Sequence, residues 1–281
     1  FNVTQGRIET FTYELLDVDD NVEGDAAMQG VVEASLTALD AALQASLGLT
    51  TSSPIVELDF DLFRGSLVET GLGSLTADAF RAAATDAVAT SVDTTPFTAA
   101  AVPNGTVRDD LHHTGEGIVT FSDMFNVLPL GMSPDPTNQN LPGWPLVSVY
   151  LTAAELQQVC LIPTSIAPLF GNSVYLNLSG IRCSYDPAGP DTGSVINVVM
   201  ACGNTLPAAG GGDEDFFSTN CTNELDLSDS TTLFRTVVDL YTLLLMDMVT
   251  AVLDIVPKHG DGTPIDLEDP MDYMSVRVDM D

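Results

Sequence analysis

Few side chains in this 281-residue chain have the type and spacing that catalysis needs. Its three histidines are His112, His113 and His259. His112 and His113 stand beside Asp109 and Asp110, a grouping able to catch a metal ion. Adjacent side chains point apart, however, so the segment reads as a surface loop. Two-metal hydrolysis needs several His and Asp ligands around ions ~4 Å apart, and the sequence does not supply them. The acidic run D-V-D-D-N-V-E-G-D (17–25) resembles a calcium loop until its sixth and twelfth positions are read. Those are Val22 and Met28, where an EF-hand needs Gly and Glu. The run reads instead as a solvated turn ending in a helix N-cap at Asp25. No G-x-S-x-G turn, Walker A loop or H-E-x-x-H pair is present. N-x-[ST] sequons begin at Asn2, Asn104, Asn177 and Asn220 and matter only in a glycosylating host.

Cys160, Cys183, Cys202 and Cys221 include no C-x-x-C pair, so metal-binding spacing is absent. An even count in an extracellular chain predicts two disulfides, with three connectivities open. The favoured pairing is Cys202–Cys221, closing a glycine-rich loop, with Cys160–Cys183 joining a helix to a strand. The alternative is four free buried thiols in a cytosolic protein.

Charge narrows the partners. Forty acidic residues against eight basic ones give a net charge of −32. That field repels DNA, RNA and anionic lipid, so no nucleic-acid partner is expected. A small anionic ligand held by a local group of arginines stays compatible with it. An acidic, lysine-poor surface stays soluble in salt, which points to a secreted protein, extracellular or periplasmic, from a saline setting. No run of 18 uninterrupted apolar residues predicts a membrane span. The first residue is Phe, with no signal peptide, so a processed or partial product is expected.

The elements that must position any site follow from periodicity. Residues 6–16 alternate and predict a β-strand. Val31, Val32, Leu36, Leu39, Leu43 and Leu47 mark an alanine-rich helix from Asp25, with Gly48 as its stop. A strand over 55–63 leads into a helix in the stretch R-G-S-L-V-E-T-G-L-G-S-L-T-A-D-A-F-R (64–81). There Gly71 and Gly73 weaken the helix by ~1 kcal/mol each, which predicts that its start lies against something; the alternative is a helix entered through a flexible loop. Further strands are expected at 97–102, 146–151, 173–186, 194–202 and 233–238. The strands at 173–186 and 194–202 form a hairpin around P-A-G-P-D-T-G. Thr120 caps a short helix, and Thr152 with Glu155 forms a capping box opening the helix through Leu161. The insertion 203–230 is expected to be mobile, and Tyr241–Val256 to be a buried helix stopped by Pro257. Strands and helices mix without a βαβ rhythm, so the fold class is α+β, a mixed sheet with packed helices.

Five segments in order carry a resemblance. They are E-T-G-L-G-S-L-T-A-D-A (69–79), V-P-N-G-T-V-R (102–108), G-I-V-T-F-S-D (117–123), L-T-A-A-E-L (151–156) and L-N-L-S-G-I-R-C-S-Y-D (176–186). Together they resemble the C-terminal domain of the 5′-nucleotidase family, which includes UDP-sugar hydrolases and ecto-5′-nucleotidases. The resemblance implies a family-like domain over 26–281, with 1–25 as a remnant or linker from a preceding metallophosphatase domain. In the family that preceding domain holds two divalent metals and hydrolyses the substrate; this chain would need no cofactor. The C-terminal domain stacks a base between two aromatics and meets phosphate or ribose with arginines and an aspartate. Carried across, the candidate ligand residues are Asn104 and Arg108 of the V-P-N-G-T-V-R segment, Tyr241 and Asp247.

The departures from the family pattern matter as much. The family's P-F-G-N is P-L-G-M (129–132) here, so Leu130 and Met132 replace a ring and an amide. The family's G-G-D-G loop reads L-M-D-M (245–248), inside a hydrophobic helix. The sequence therefore favours a domain with a degenerate nucleotide pocket, inactive alone and serving as a structural or assembly module, with itself or a missing catalytic domain as partner. The alternative is the nucleotide- or nucleoside-binding half of a secreted hydrolase whose catalytic domain lies elsewhere.

Overall fold

A computed structural model describes residues 6, 11–19, 22–89, 91, 93–113, 117–129, 143–186, 194–200, 224–250 and 252–278. The chain forms two compact units, 1–53 and 54–281. The main element of the first unit is helix α1, Ala26–Leu47. The Asp25 carboxylate accepts the Met28 N–H at 2.9 Å, and Gly48, at φ +71°, returns its N–H to Gln44 O. A left-handed residue at this position favours glycine, which carries no Cβ to clash. The expected strand at 6–16 does not form over 11–16, which carry no strand structure. Alternation alone does not make a strand: its backbone groups need an adjacent strand, and none is paired here.

The second unit is built on a four-stranded sheet. Strands β1 (Pro54–Glu57), β2 (Ala99–Pro103), β3 (Ile118–Thr120), β4 (Leu146–Leu151), β5 (Leu176–Ser179), β6 (Ile181–Asp186), β7 (Ser194–Met200) and β8 (Phe234–Asp239) appear in chain order. The central sheet runs β4-β8-β2-β5, with β2 parallel to β8 and the outer pairs antiparallel. The β1–β3 and β6–β7 pairs form separate antiparallel ribbons.

Side-chain alternation gives the sheet two buried faces. Ala99, Ala101, Val147, Val149, Leu151 and Val238 face one way, into a core closed by α4 (Ala153–Leu161), α6 (Leu240–Thr250) and the β6–β7 hairpin. Ala100, Val102 and Val237 face the other way, against α2 (Gly71–Ala87). The α2 start does pack closely: a Cβ on Gly73 would lie 2.1 Å from Asn177 Oδ1 on β5. The expected capping box of Thr152 with Glu155 forms on α4, and Thr120 caps α3 (Phe121–Val127) in a second box with Asp123. A short π-helical stretch, Ile162–Ile166, runs on into α5 (Ala167–Phe170), and α7 (Pro270–Tyr273) lies near the C-terminus.

Three more elements differ from expectation. The strand expected over 55–63 is confined to Pro54–Glu57, with only an isolated bridge at Leu62 beyond it. The predicted strand 173–186 is split at Gly180, where φ is +80° and a Cβ would meet Thr98 O at 2.1 Å. The chain turns there, so β6 leaves the sheet to pair with β7. The helix expected through Val256 ends at Thr250. Glu155 Oε1 accepts the Val256 N–H at 3.0 Å and the Lys258 ammonium at 2.5 Å, so this segment is bonded to α4 rather than to a continuing helix. The β6–β7 turn and most of the 203–230 insertion lie outside the described residues.

Candidate functional site

Because β2 and β8 are parallel, their carboxyl ends lie on one side of the sheet, the position where ligands gather in sheets of this kind. From β2 the chain runs into Asn104-Gly105-Thr106-Val107-Arg108, and from β8 into Asp239-Leu240-Tyr241 at the start of α6. Asp239 joins the two. Its carboxylate accepts the Thr106 hydroxyl at 2.8 Å, the Thr242 N–H at 2.6 Å and the Thr242 hydroxyl at 2.5 Å, which caps α6. Burial pushes the Asp239 carboxyl up from its ordinary value, against the lowering effect of the bonds from Thr242 and Thr106.

Asn104, Arg108 and Tyr241 all follow the carboxyl ends of these two strands, in different conditions. Asn104 is 4% exposed and its amide is committed to the fold. Its Nδ2 donates to Asn172 Oδ1 at 3.0 Å, and its Oδ1 accepts from Asn177 Nδ2 at 2.8 Å. Tyr241 is half-buried, with its ring 5.7 Å from that of Trp144 in an edge-to-face contact. Arg108 is exposed; its backbone N–H donates to Val127 O at 2.8 Å. Asp247 belongs to α6, but its side chain is outside the described set, as are Leu130, Met132, Cys202 and Cys221. Cys160 and Cys183 form a disulfide, joining α4 to β6 as the favoured pairing has it.

Sequence reasoning missed Arg64. Its Nη1 donates to Arg108 O at 2.8 Å and its N–H to Asp110 Oδ1 at 2.7 Å, so an exposed second guanidinium stands beside Arg108. The available signal was its place just ahead of E-T-G-L-G-S-L in a chain with only eight cationic side chains. Leu67, in the same loop, is held at φ +55° with its N–H on Asn172 Oδ1 at 2.8 Å. A left-handed leucine is strained, so the asparagine network holds this loop against a local cost.

His112 and His113 are both exposed and lie in a loop, as expected. His113 donates its backbone N–H to Asp61 Oδ1 at 2.6 Å, and His112 Nδ1 lies 3.9 Å from the same oxygen. Among the described residues no group of three or more His, Cys, Asp and Glu is placed to hold a metal ion.

An α+β domain with a mixed sheet, bearing its polar groups at the carboxyl ends of two parallel strands, is thus the class in hand. Residues 46–209 match the family described as 5′-nucleotidase, C-terminal domain, and the chain belongs to that family. Among solved structures it is similar to a 5′-nucleotidase precursor from Thermus thermophilus, at 21% identity over 73% of this chain and 33% of that one, TM-score 0.45. It is also similar to the NAD nucleotidase of Haemophilus influenzae, at 15% identity over 78% of this chain and 32% of that one, TM-score 0.41. A third is the sulfate thiohydrolase SoxB of Thermus thermophilus, at 15% identity over 85% and 34%, TM-score 0.43. The chain spans about a third of the length of these proteins. None of the curated proteins compared with it matches.

Proposed function

We propose that this chain is the ligand-gripping domain of a nucleotide phosphohydrolase, binding the phosphate-bearing end of a nucleotide and hydrolysing nothing by itself. The observation that carries this is the Arg64–Arg108 pair. In a chain of net charge −32, the Arg64 guanidinium is fastened to the Arg108 backbone oxygen at 2.8 Å, so two exposed arginines are neighbours just beyond the carboxyl end of β2. Guanidiniums offer paired donors to phosphate oxygens. Tyr241, at the end of the parallel neighbour β8, supplies a ring for the base. The hydrolytic metals of such an enzyme belong to a separate domain. Export from the cell is consistent with the Cys160–Cys183 disulfide and the acidic surface.

Titration calorimetry with UMP and AMP tests the reading. Millimolar or tighter binding that weakens in Arg108→Ala supports it; no heat at millimolar nucleotide overturns it. A second reading, a structural module with a degenerate pocket, is favoured by the fate of Asn104 and Tyr241. One is locked in an asparagine network and the other already has Trp144 against it. Nucleotide-independent particles larger than a monomer in electron microscopy, with no calorimetric signal, would favour that second reading.

A further inference from the structure

Beside Gly180, where the chain turns out of the central sheet, lies a cavity of about 400 Å³. That volume falls within the roughly 300–1,000 Å³ of small-molecule sites. Its walls come from Ser74 and Asp78 of α2, from Pro163 and Thr164 of the π-helical stretch, and from β5 and β6. Helical turns of the π type are uncommon and gather at functional sites. The polar side chains around the cavity differ in kind. The Asp78 carboxylate accepts the Ser179 hydroxyl, and Glu69 Oε1 accepts the Ser74 hydroxyl at 3.3 Å, so both carboxylates keep acceptor capacity. The Tyr185 hydroxyl donates to Cys160 O at 2.9 Å, which leaves its ring to face the cavity. The Tyr175 hydroxyl takes part in no hydrogen bond among the described residues. Burial first, then the nearby Glu69 charge, push that hydroxyl up from the ordinary tyrosine value.

Charge and polarity together narrow the ligand. An anion would meet Glu69 and Asp78 in the wall. A cation would meet Arg182 in the wall and Arg81 behind Gly180, where a Cβ would lie 2.9 Å from Arg81 Nη1. A purely apolar guest would strip water from the carboxylates and the Tyr175 hydroxyl and give them no partner. What remains is a neutral molecule with many hydroxyls. We infer that this cavity binds a neutral sugar of mono- or disaccharide size, its hydroxyls bonded to Glu69, Asp78 and Tyr175 and its C–H face laid on the tyrosine rings. A sugar hydroxyl both donates and accepts. One ligand therefore serves carboxylates that only accept, a guanidinium that only donates and a tyrosine that does both. The C–H face of a pyranose is apolar and packs on aromatic rings and on side chains such as Leu178 and Pro163, which also line the cavity. The inference does not rest on the nucleotide reading, because such a sugar carries no phosphate and uses neither Arg64 nor Arg108.

The test is amide-resolved NMR of the whole chain, titrated to ~50 mM with the methyl glycosides of D-glucose, D-mannose and D-galactose. At least one should give saturable shifts at the Ser74, Leu178 and Gly180 amides, with a millimolar Kd. The amine and uronate analogues of that sugar should each bind several-fold more weakly, since each brings a charge that one part of the wall opposes. Tyr175→Phe keeps the ring and removes the hydroxyl, and Glu69→Gln changes an exposed carboxylate. Each should weaken binding about fivefold, the worth of one hydrogen bond, and leave the spectrum of the free protein unchanged away from the cavity. No saturable shift at those amides with any of the three glycosides overturns the proposal. So does tighter binding of the amine or the uronate, which would make the site a charged one, and so does undiminished binding in both variants.

Discussion

The two ends of the central sheet use the same side chain in opposite ways. At the amino end of β8, Arg235 is 1% exposed and fully engaged. Its Nε donates to Ser148 Oγ at 2.8 Å, and its Nη1 donates to Asp93 O at 2.9 Å and Thr95 O at 3.1 Å. Its guanidinium lies 4.4 Å from the Phe97 ring centroid and 5.9 Å from that of Tyr150. The Tyr150 hydroxyl donates to Asp93, and burial first, then that bond, push the tyrosine up to about 12. At the carboxyl end of β2, Arg64 and Arg108 are exposed and touch through a single backbone oxygen. A buried guanidinium bonded to the chain through several donors holds the fold, whereas an exposed one bonded through a single donor is available to a ligand. Residue type does not separate the two uses; only the surroundings do.

The most forceful way to break this comparison is Arg235→Ala. It strips buried carbonyls and the Ser148 hydroxyl of their donor and should cost ~3–5 kcal/mol of unfolding free energy in urea titrations. A loss below ~1 kcal/mol would show that the buried end is not a structural anchor. Next in size is Lys258→Met, which leaves the Glu155 carboxylate without its cation and should cost ~2 kcal/mol. Burial raises the Glu155 carboxyl, but the Lys258 bond and the Thr152 and Val256 N–H bonds outweigh it and hold it below its ordinary value. A depressed carboxyl stabilises the fold above its unfolded pKa, and that contribution disappears as pH falls through the folded one. Wild type should therefore lose stability steeply below the usual glutamate range, and Lys258→Met should flatten that limb of the pH profile.

At the exposed end the expected sign is reversed. Arg64→Ala and Arg108→Ala should each leave urea stability within ~0.5 kcal/mol and weaken UMP binding about tenfold by calorimetry. A substantial stability loss would make this pair structural too and erase the contrast. The smallest effect is a gain: Leu67→Gly relieves the left-handed backbone and should add ~0.5–1 kcal/mol to thermal or urea stability.

What the sequence determined by itself is local. Asp25 and Gly48 bracket α1, Thr152 with Glu155 opens α4, and Gly73 announces a close contact, because caps and glycines act within a few residues of chain. The order of five short segments also carried the family, since such segments fix turns and crossings that the fold requires. Tertiary structure decided the rest. It turned the chain out of the sheet at Gly180, left 11–16 without strand structure, and ended α6 where Glu155 bonds to Val256 and Lys258. It also set Arg64 beside Arg108, residues 44 apart whose meeting depends on a hydrogen bond across the fold. The same holds for Asn104: its motif marked it for a ligand, and only the arrival of Asn172 and Asn177 from distant elements committed its amide to the fold.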